Sequence, residues 1–463
     1  MSSSVSGDSW PTDIRFRVGA LLISKLSSEC RDYCILSGYE QFPRSFDTDI
    51  DFMVDAADFD RIPSIVNEIG EETGTRLFQS VQHELSARAF FLVSQSGSKL
   101  AVVQPDSTSD YRHFGSLWLR ADEVLAERRW HTNGFWIPAP AHEFIYYLVK
   151  RLNKRDFTAQ HGLKLHRLYE EDPQGSDQQL ARFWSGEKKR SLSSMAASGN
   201  WIDLQASLEG FRDELMRNTS DSFLQKMDCG VARMSHFIDR IVRPTGAWIA
   251  FMGPDGCGKS SVIEAVTDQF APIFNRVDRY HMRPSVITKK GGSKGSVTDP
   301  HGQEPRGVLA SIAKIFYLGT DYFAGYLLRI RPAMIRTRLV IFDRYIYDLL
   351  VDSKRVRYGG PAWMLRLLAR IVPRPELVIL LDAPAEVLWS RKQEVTFDEV
   401  VRQRKDYLSL VKLLPSAVVI NASQPLPNVL HDVEEAVVNH FSHRTATRLG
   451  LDQKQGSIRT VNN

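Results

Sequence analysis

Ala247-Trp-Ile-Ala-Phe-Met-Gly253-Pro-Asp-Gly-Cys-Gly258-Lys259-Ser260-Ser261 is the stretch on which the fold turns. An unbroken apolar run reads as a buried strand, and Ser261 to Phe270 reads as a helix. Between them lies a turn of the pattern G-x-x-x-x-G-K-[ST]. Each residue type has a task there. Glycines let backbone N–H groups face phosphate oxygens, the helix N-terminus adds partial positive charge, a lysine reaches the β- and γ-phosphates, and a serine hydroxyl ligates Mg²⁺. The expectation is therefore an ATP cradle made of Gly253, Pro254, Asp255, Gly256, Cys257, Gly258, Lys259, Ser260 and Ser261, with Ser260 also on the metal. A bare glycine-rich turn is the plainer alternative, and the flanking strand and helix speak against it.

Downstream, Arg338-Leu-Val-Ile-Phe-Asp343-Arg344-Tyr345 is a strand ending in a carboxylate and a guanidinium, at the end of a sheet where α/β ligands bind. Asp343 would serve Mg²⁺ or accept a proton, and Arg344 would clamp an acceptor's phosphate; a strand-end ion pair is the plainer role. Leu377-Val-Ile-Leu-Leu-Asp382 is a further strand, and Asp382 with Pro384 and Glu386 suggests a helix N-cap. Arg391 lies two turns into that helix. Arg402 and Arg404 follow a polar stretch, Gln393 to Asp398, which would act as a lid closing cations over transferring phosphates; a solvated helix face is the plainer reading. Strands at 247–252, 338–342 and 377–381 separated by helical stretches predict βαβ units and a parallel sheet. Residues 285–306 are too polar and glycine-rich to pack and read as a loop. The apolar run Gly307 to Leu328 contains Lys314 and Asp321, so it reads as a core-facing helix and no membrane span is expected.

In this order, Asp255-Gly-Cys-Gly-Lys-Ser-Ser261, Asp343-Arg-Tyr345, Leu381-Asp-Ala-Pro-Ala-Glu386 with Arg391, and the closing strand Ala417-Val-Val-Ile-Asn-Ala-Ser-Gln424 resemble thymidylate kinase across residues 246–445. The resemblance implies that Gly253 to Ser261 bind ATP, that Lys259, Asp343, Arg344 and Arg391 are catalytic, and that Arg402 or Arg404 joins Arg391 in a lid. It also implies acceptor contacts from Arg283, Arg344 and Tyr345. With Gly256 rather than Arg inside the loop, the lid is expected to supply the positive charge, as in one class of that family. Two departures bear on the acceptor. Where thymidylate kinases carry Arg-Glu-Pro-Gly-Gly-Thr, this chain reads Tyr280-His-Met-Arg283-Pro284-Ser, and the run after Tyr345 lacks the family's Ala-Tyr-Gln. Residues 279–298 hold Arg279, Arg283, Lys289, Lys290 and Lys294 and no acid, a composition suited to an anionic acceptor or to a solvated loop.

Upstream, residues 13–140 alternate short β-rich runs with helix-like stretches, a compact α+β unit, and residues 141–245 turn helical. Ser37-Gly38 followed by Asp49-Ile-Asp51 resembles the nucleotidyltransferases of the polymerase β superfamily. Carboxylates at i and i+2 share one face of a strand, and the resemblance implies that Asp49, Asp51 and, on a neighbouring strand, Asp106 hold Mg²⁺. Tyr39 stands where that family usually has a serine. The helical region, with Lys150, Arg151, Lys154 and Arg155, would be an accessory bundle or an ordinary basic surface.

The arithmetic sets the outer limits. The chain has 463 residues, 43% hydrophobic, which suits two or three folded domains. Residues 1–12 and 446–463 read as polar tails. Lysine and arginine number 59 against 55 acids, so no global field exists to hold a nucleic-acid backbone, and a small phosphorylated substrate is the expected partner, with room for a homodimer. Four scattered cysteines and no signal-peptide pattern point to a reduced, cytoplasmic chain. The leading reading is an α/β, ATP- and Mg²⁺-dependent phosphotransferase acting on a nucleoside monophosphate. A kinase for a sugar or glycan-precursor hydroxyl and a non-catalytic ATP-binding switch are the alternatives.

Overall fold

Two five-stranded sheets organise the chain. A computed structural model describes residues 13–96, 99–113, 116–217, 234, 238–286 and 307–451. The expectations placed on residues 1–12, Cys229, most of the 285–306 loop with Lys289, Lys290 and Lys294, and residues 452–463 lie outside these. The described residues form two compact units: one holds residues up to Ser94, Val102 to Arg217 and those from Ala446, the other Gln95–Ala101 and Ile238–Thr445.

In the first unit, β1 (Tyr33–Ser37), β2 (Asp49–Val54), β3 (Arg76–Glu84), β4 (Ala87–Ser96) and β5 (Lys99–Thr108) form a sheet of order β1-β2-β5-β4-β3. β1 runs antiparallel to β2, and β2 parallel to β5. The helix Ile14–Glu29 starts where the Asp13 carboxylate accepts the Arg15 N–H at 3.0 Å, and the helix Ile62–Thr73 stops at Gly74 in the left-handed region. Leu22, Leu26, Ile50, Phe52, Ile65 and Ile69 close one core. Two hairpins follow, β6 (Tyr111–His113) with β7 (Ser116–Leu119) and β8 (Arg129–His131) with β9 (Phe135–Ile137). Helices then take over at Pro140–Lys154, Ala159–Glu171, Pro173–Ala181, Gly186–Ser198 and Ile202–Arg217. These helices are not a separate domain from residue 141: Phe144, Leu148 and Trp184 share a core with Cys34, Leu36 and Met53 of the sheet.

The main segment of the second unit starts at Ile238, ahead of the boundary expected at 245, and Arg240 donating to the Ile335 carbonyl (3.0 Å) and Arg331 to the Val242 carbonyl (2.9 Å) tie this stretch to it. Its strands are β10 (Ala247–Met252), β11 (Val277–His281), β12 (Leu339–Asp343), β13 (Leu377–Asp382) and β14 (Ala417–Asn421). They form an all-parallel sheet of order β11-β12-β10-β13-β14. β10 is buried throughout, β12 and β13 nearly so, and the edge strands are half-exposed, as helices on both faces require. The chain leaves β10 toward the β11 edge, returns to β12 and then crosses β10 to reach β13, so the strand order reverses at β10 and its carboxyl end is the crevice where such sheets bind ligands. The helix Val308–Gly325 continues through a π-helical turn, Tyr326–Ile330, into Arg331–Ile335; the turn precedes Pro332, which cannot donate to the helical ladder. The last helix, Leu426–Leu449, runs past 445, where a tail was expected. No helix among the described residues is long and apolar enough to cross a membrane.

Candidate active site

The loop after β10 adopts a conformation that only its glycines permit. Gly253 has φ +144°, and a Cβ there would stand 2.5 Å from the Leu381 carbonyl oxygen; Gly256 has φ +85°, and its Cβ would meet the Leu388 carbonyl at 2.7 Å. The chain thus turns tightly against β13 and the helix Ala385–Arg391 before Lys259 opens the helix Lys259–Phe270. No side chain caps that helix, so its first N–H groups are open to an anion. Lys259 is buried, and its Nζ donates to the carbonyls of Gly253 (2.8 Å) and Pro254 (2.9 Å). Ser260 and Ser261 are exposed at the helix start.

Asp343 ends β12 directly opposite Phe251 of β10. Its Oδ2 accepts from His281 Nδ1 at 3.3 Å, whereas Oδ1 is buried with no hydrogen-bond partner among the described residues. Burial works to raise the Asp343 pKa, but the His281 hydrogen bond and the nearby Lys259 charge hold it below its ordinary value. Asp343 is therefore an anionic group with one unused oxygen, at the same sheet end as the loop. His281, not anticipated from the sequence, is placed there by the β11–β12 register, which pairs it with Asp343.

Arg344 corrects an expectation. It is 3% exposed, and its backbone adopts φ +67°, which turns the side chain into the protein. Its guanidinium donates to Asp255 Oδ1 (2.5 Å), Asp348 Oδ1 (2.9 Å), Tyr407 Oη (3.2 Å) and the Gly253 carbonyl (3.3 Å). With its donors occupied it positions the loop and is not an outward phosphate clamp. Arg355 holds the other oxygen of Asp255 and also Asp352 (3.0 Å). Against burial, which works to raise it, Arg344 and Arg355 bring the Asp255 carboxyl down to about 2. Tyr345 is likewise no acceptor contact: it is 1% exposed, packs among Trp248, Tyr322 and Phe342, and donates to the Pro373 carbonyl.

The lid expected from Arg402 and Arg404 is absent among the described residues. Both lie on the helix Phe397–Val411. Arg402 is taken by Glu399 (2.6 Å) and Asp406 (2.6 Å) of that helix, and Arg404 makes a two-pronged pair with Asp382, both bonds 2.9 Å. That pairing also displaces the N-cap role given to Asp382: the next helix starts at Ala385, capped by Pro384 without a side-chain bond. Arg391 remains beside the loop, with Lys392 next to it. It is exposed, its guanidinium donates to the Ala422 carbonyl (2.9 Å), and its Cβ and that of Lys392 lie 3.5 and 3.3 Å from where a Gly256 Cβ would stand.

Arg283 lies farther along, in the segment that follows β11, donating to Tyr317 Oη at 2.5 Å. That segment is tied at several points. Met282 N–H donates to the Asp343 carbonyl (2.8 Å), and Asp321 Oδ2 and Oδ1 accept from the N–H groups of Ser285 (3.1 Å) and Val286 (2.7 Å).

In the first unit, the parallel register sets Asp51 opposite Asp106 and Asp49 opposite Gln104, so three carboxylates share one face of adjacent strands. They do not form the expected metal centre. Lys150 Nζ and Ser37 Oγ both bond Asp51 Oδ2, and Gln104 Nε2 donates to both oxygens of Asp106 (3.1 and 3.0 Å). Among the described residues no group of three or more His, Cys, Asp or Glu is arranged to hold a metal. The ammonium of Lys150 supplies the positive charge instead. Burial and the Asp51 charge push Asp106 well above its ordinary value. Without nucleotide, Mn²⁺ should leave wild-type thermal unfolding unchanged, whereas Lys150→Met, which frees the carboxylates, should gain a Mn²⁺-dependent stabilisation. A wild-type Mn²⁺ response lost in Asp51→Asn would contradict this reading.

Comparisons with known proteins concern part of the chain. No family model matches it. The thymidylate kinase of Limosilactobacillus fermentum is 26% identical over 214 residues, which cover 42% of this chain and 95% of that protein. The probable thymidylate kinase of Thermococcus gammatolerans is 25% identical over 207 residues, covering 41% and 94% respectively. The solved thymidylate kinase from Ehrlichia chaffeensis aligns at 17% identity with a TM-score of 0.29, over 42% of this chain and 98% of that one. The chain thus carries a thymidylate-kinase-like segment.

Proposed function

We propose that the thymidylate-kinase-like segment catalyses ATP-dependent phosphoryl transfer to a small phosphorylated acceptor, with a nucleoside monophosphate of the dTMP kind as the leading candidate. The observation that carries this is the juxtaposition at one sheet end of the glycine loop, Lys259 and Asp343, on the paired strands β10 and β12. In the reaction the bond between the β,γ-bridging oxygen and the γ-phosphorus breaks, an acceptor oxygen bonds to that phosphorus, and ADP leaves. Such transfer needs positioning and charge neutralisation more than covalent chemistry. Loop N–H groups and the open helix start would bind the phosphates, Lys259 would exchange its carbonyl partners for phosphate oxygens, and Arg391 would add charge from the neighbouring helix. Mg²⁺ fits the groups present: Ser260 Oγ and the unpartnered Asp343 oxygen would hold it, and it would neutralise charge on the transferring phosphates. Arg344 would act through Asp255, keeping the loop in shape.

A second reading, transfer to a sugar hydroxyl, is favoured by one observation. The segment whose sequence departs from the family's Arg-Glu-Pro-Gly-Gly-Thr is a turn with Met282 and Ser285 both at positive φ. Initial rates of ADP formation with dTMP, other nucleoside monophosphates and phosphorylated sugars, compared side by side, separate the two. We expect dTMP to give the largest acceptor-dependent rate. A dTMP rate at background beside a robust sugar rate would overturn the nucleotide assignment.

A further inference from the structure

β11 is the outermost strand of the second unit's sheet, and along it opens a cleft of about 730 Å³. Small-molecule sites commonly have such volumes. Six arginines line it: Arg276 and Arg338 beside the start of the strand, Arg279 within it, Arg283 beyond its end, and Arg329 and Arg336 from the facing helical stretch. Few acids answer them. Asp278 is shared by Arg276 (3.0 Å) and Arg338 (3.2 Å), and Asp321 stands 3.8 Å from Arg283. Arg329 has the Pro284 carbonyl, at 2.5 Å. Arg279 and Arg336 are exposed, and neither has an ion-pair partner among the described residues. The imidazole of His281, also on the wall, is bonded to Asp343.

Guanidiniums crowded in this way repel one another unless an anion lies between them, and the planar fork of arginine matches phosphate oxygens two at a time. Tyr280, Leu328 and Pro332 complete the wall between the arginines. The arginines are also spread along the strand, whose five residues extend roughly 16 Å at about 3.3 Å per residue. A single phosphate would reach only one end of that row. We propose that the cleft is a second anion site, for a small ligand bearing at least three linked phosphates, as in inorganic tripolyphosphate or the tail of a nucleoside triphosphate. No residue of the loop Gly253–Ser261 lines it; the segment from Tyr280 to Ser285, expected to face the acceptor, forms one end of the cleft, whereas Arg279 and Arg336 stand outside the acceptor contacts expected above, so substituting those two separates the sites.

Calorimetric titration of the full-length protein with tripolyphosphate, and separately with ATP, tests this on wild type, Lys259→Ala and Arg279→Gln/Arg336→Gln. Lys259→Ala should retain a tripolyphosphate site whose affinity falls steeply with salt. The double variant should weaken that site about tenfold or more while keeping wild-type affinity for ATP in the loop, since each lost charged hydrogen bond contributes more than a neutral one. ATP binding to Lys259→Ala distinguishes a site that accepts a nucleoside from one that takes only the bare phosphate chain. The two altered side chains are exposed and have no partner among the described residues, so folding should persist. Lys259→Ala decides the matter by itself: no tripolyphosphate binding at millimolar ligand would overturn the proposal, as would wild-type affinity in the double variant.

Discussion

Replacing Lys259 with Ala is expected to slow phosphoryl transfer on the order of 10²–10³-fold, the effect of deleting one preorganised donor aimed at charge in the transition state. The fold should survive. Lys259 Nζ bonds neutral carbonyls of Gly253 and Pro254 and makes no ion pair among the described residues, so its removal breaks no buried salt bridge and should cost only about 1 kcal/mol per lost hydrogen bond. The combination is diagnostic: activity falls and the unfolding midpoint of the second unit stays nearly fixed. Wild-type turnover in the variant would remove the loop from the catalytic account.

Arg344→Met should behave in the opposite way, acting first on stability. Asp348 is fully buried, and its Oδ1 accepts from Arg344 (2.9 Å) and Tyr407 (2.6 Å) while Oδ2 accepts the Tyr345 N–H (3.0 Å). Removing the guanidinium leaves that carboxylate, and one oxygen of Asp255, without their cation. Breaking a buried pair from one side typically costs about 3–5 kcal/mol, a large part of a domain's stability. Denaturant titration of the second unit should show the loss, and Arg344→Met/Asp348→Asn should recover part of it because the stranded charge goes too. A single variant as stable as wild type would mean that Arg344 is not the buried hub described above. Loss of activity without loss of stability would return it to the role of a phosphate clamp.

The contrast between these residues shows what could be read beforehand. Gly253 to Ser261 was legible because the loop is local: a strand, a turn and a helix start are specified within one short stretch, and the strands 247–252 and 377–381 follow from unbroken apolar runs. Arg344 was placed correctly at a strand end, but its direction depends on one left-handed backbone position and on Asp255 and Tyr407, far away in sequence. Lys150 is the same case, since only the folded chain sets it on Asp51. Arg402 could have been read better. Glu399 and Asp406 stand three before and four after it on one helix, the spacing at which side chains meet, so its pairing was visible and the lid was not required. Tyr345 was taken for part of a binding motif, although aromatic residues beside a central strand more often fill the core, as it does against Trp248.

The central claim is that the second unit moves the γ-phosphoryl group of ATP onto an acceptor rather than using ATP as a conformational signal. The direct measurement is to incubate the full-length protein with γ-labelled ATP, Mg²⁺ and dTMP, separate the products, and ask where the label resides. The account predicts label in dTDP, dependent on dTMP and lost in Lys259→Ala. Label found only in inorganic phosphate, at a slow rate indifferent to every nucleotide and sugar acceptor added, would contradict it.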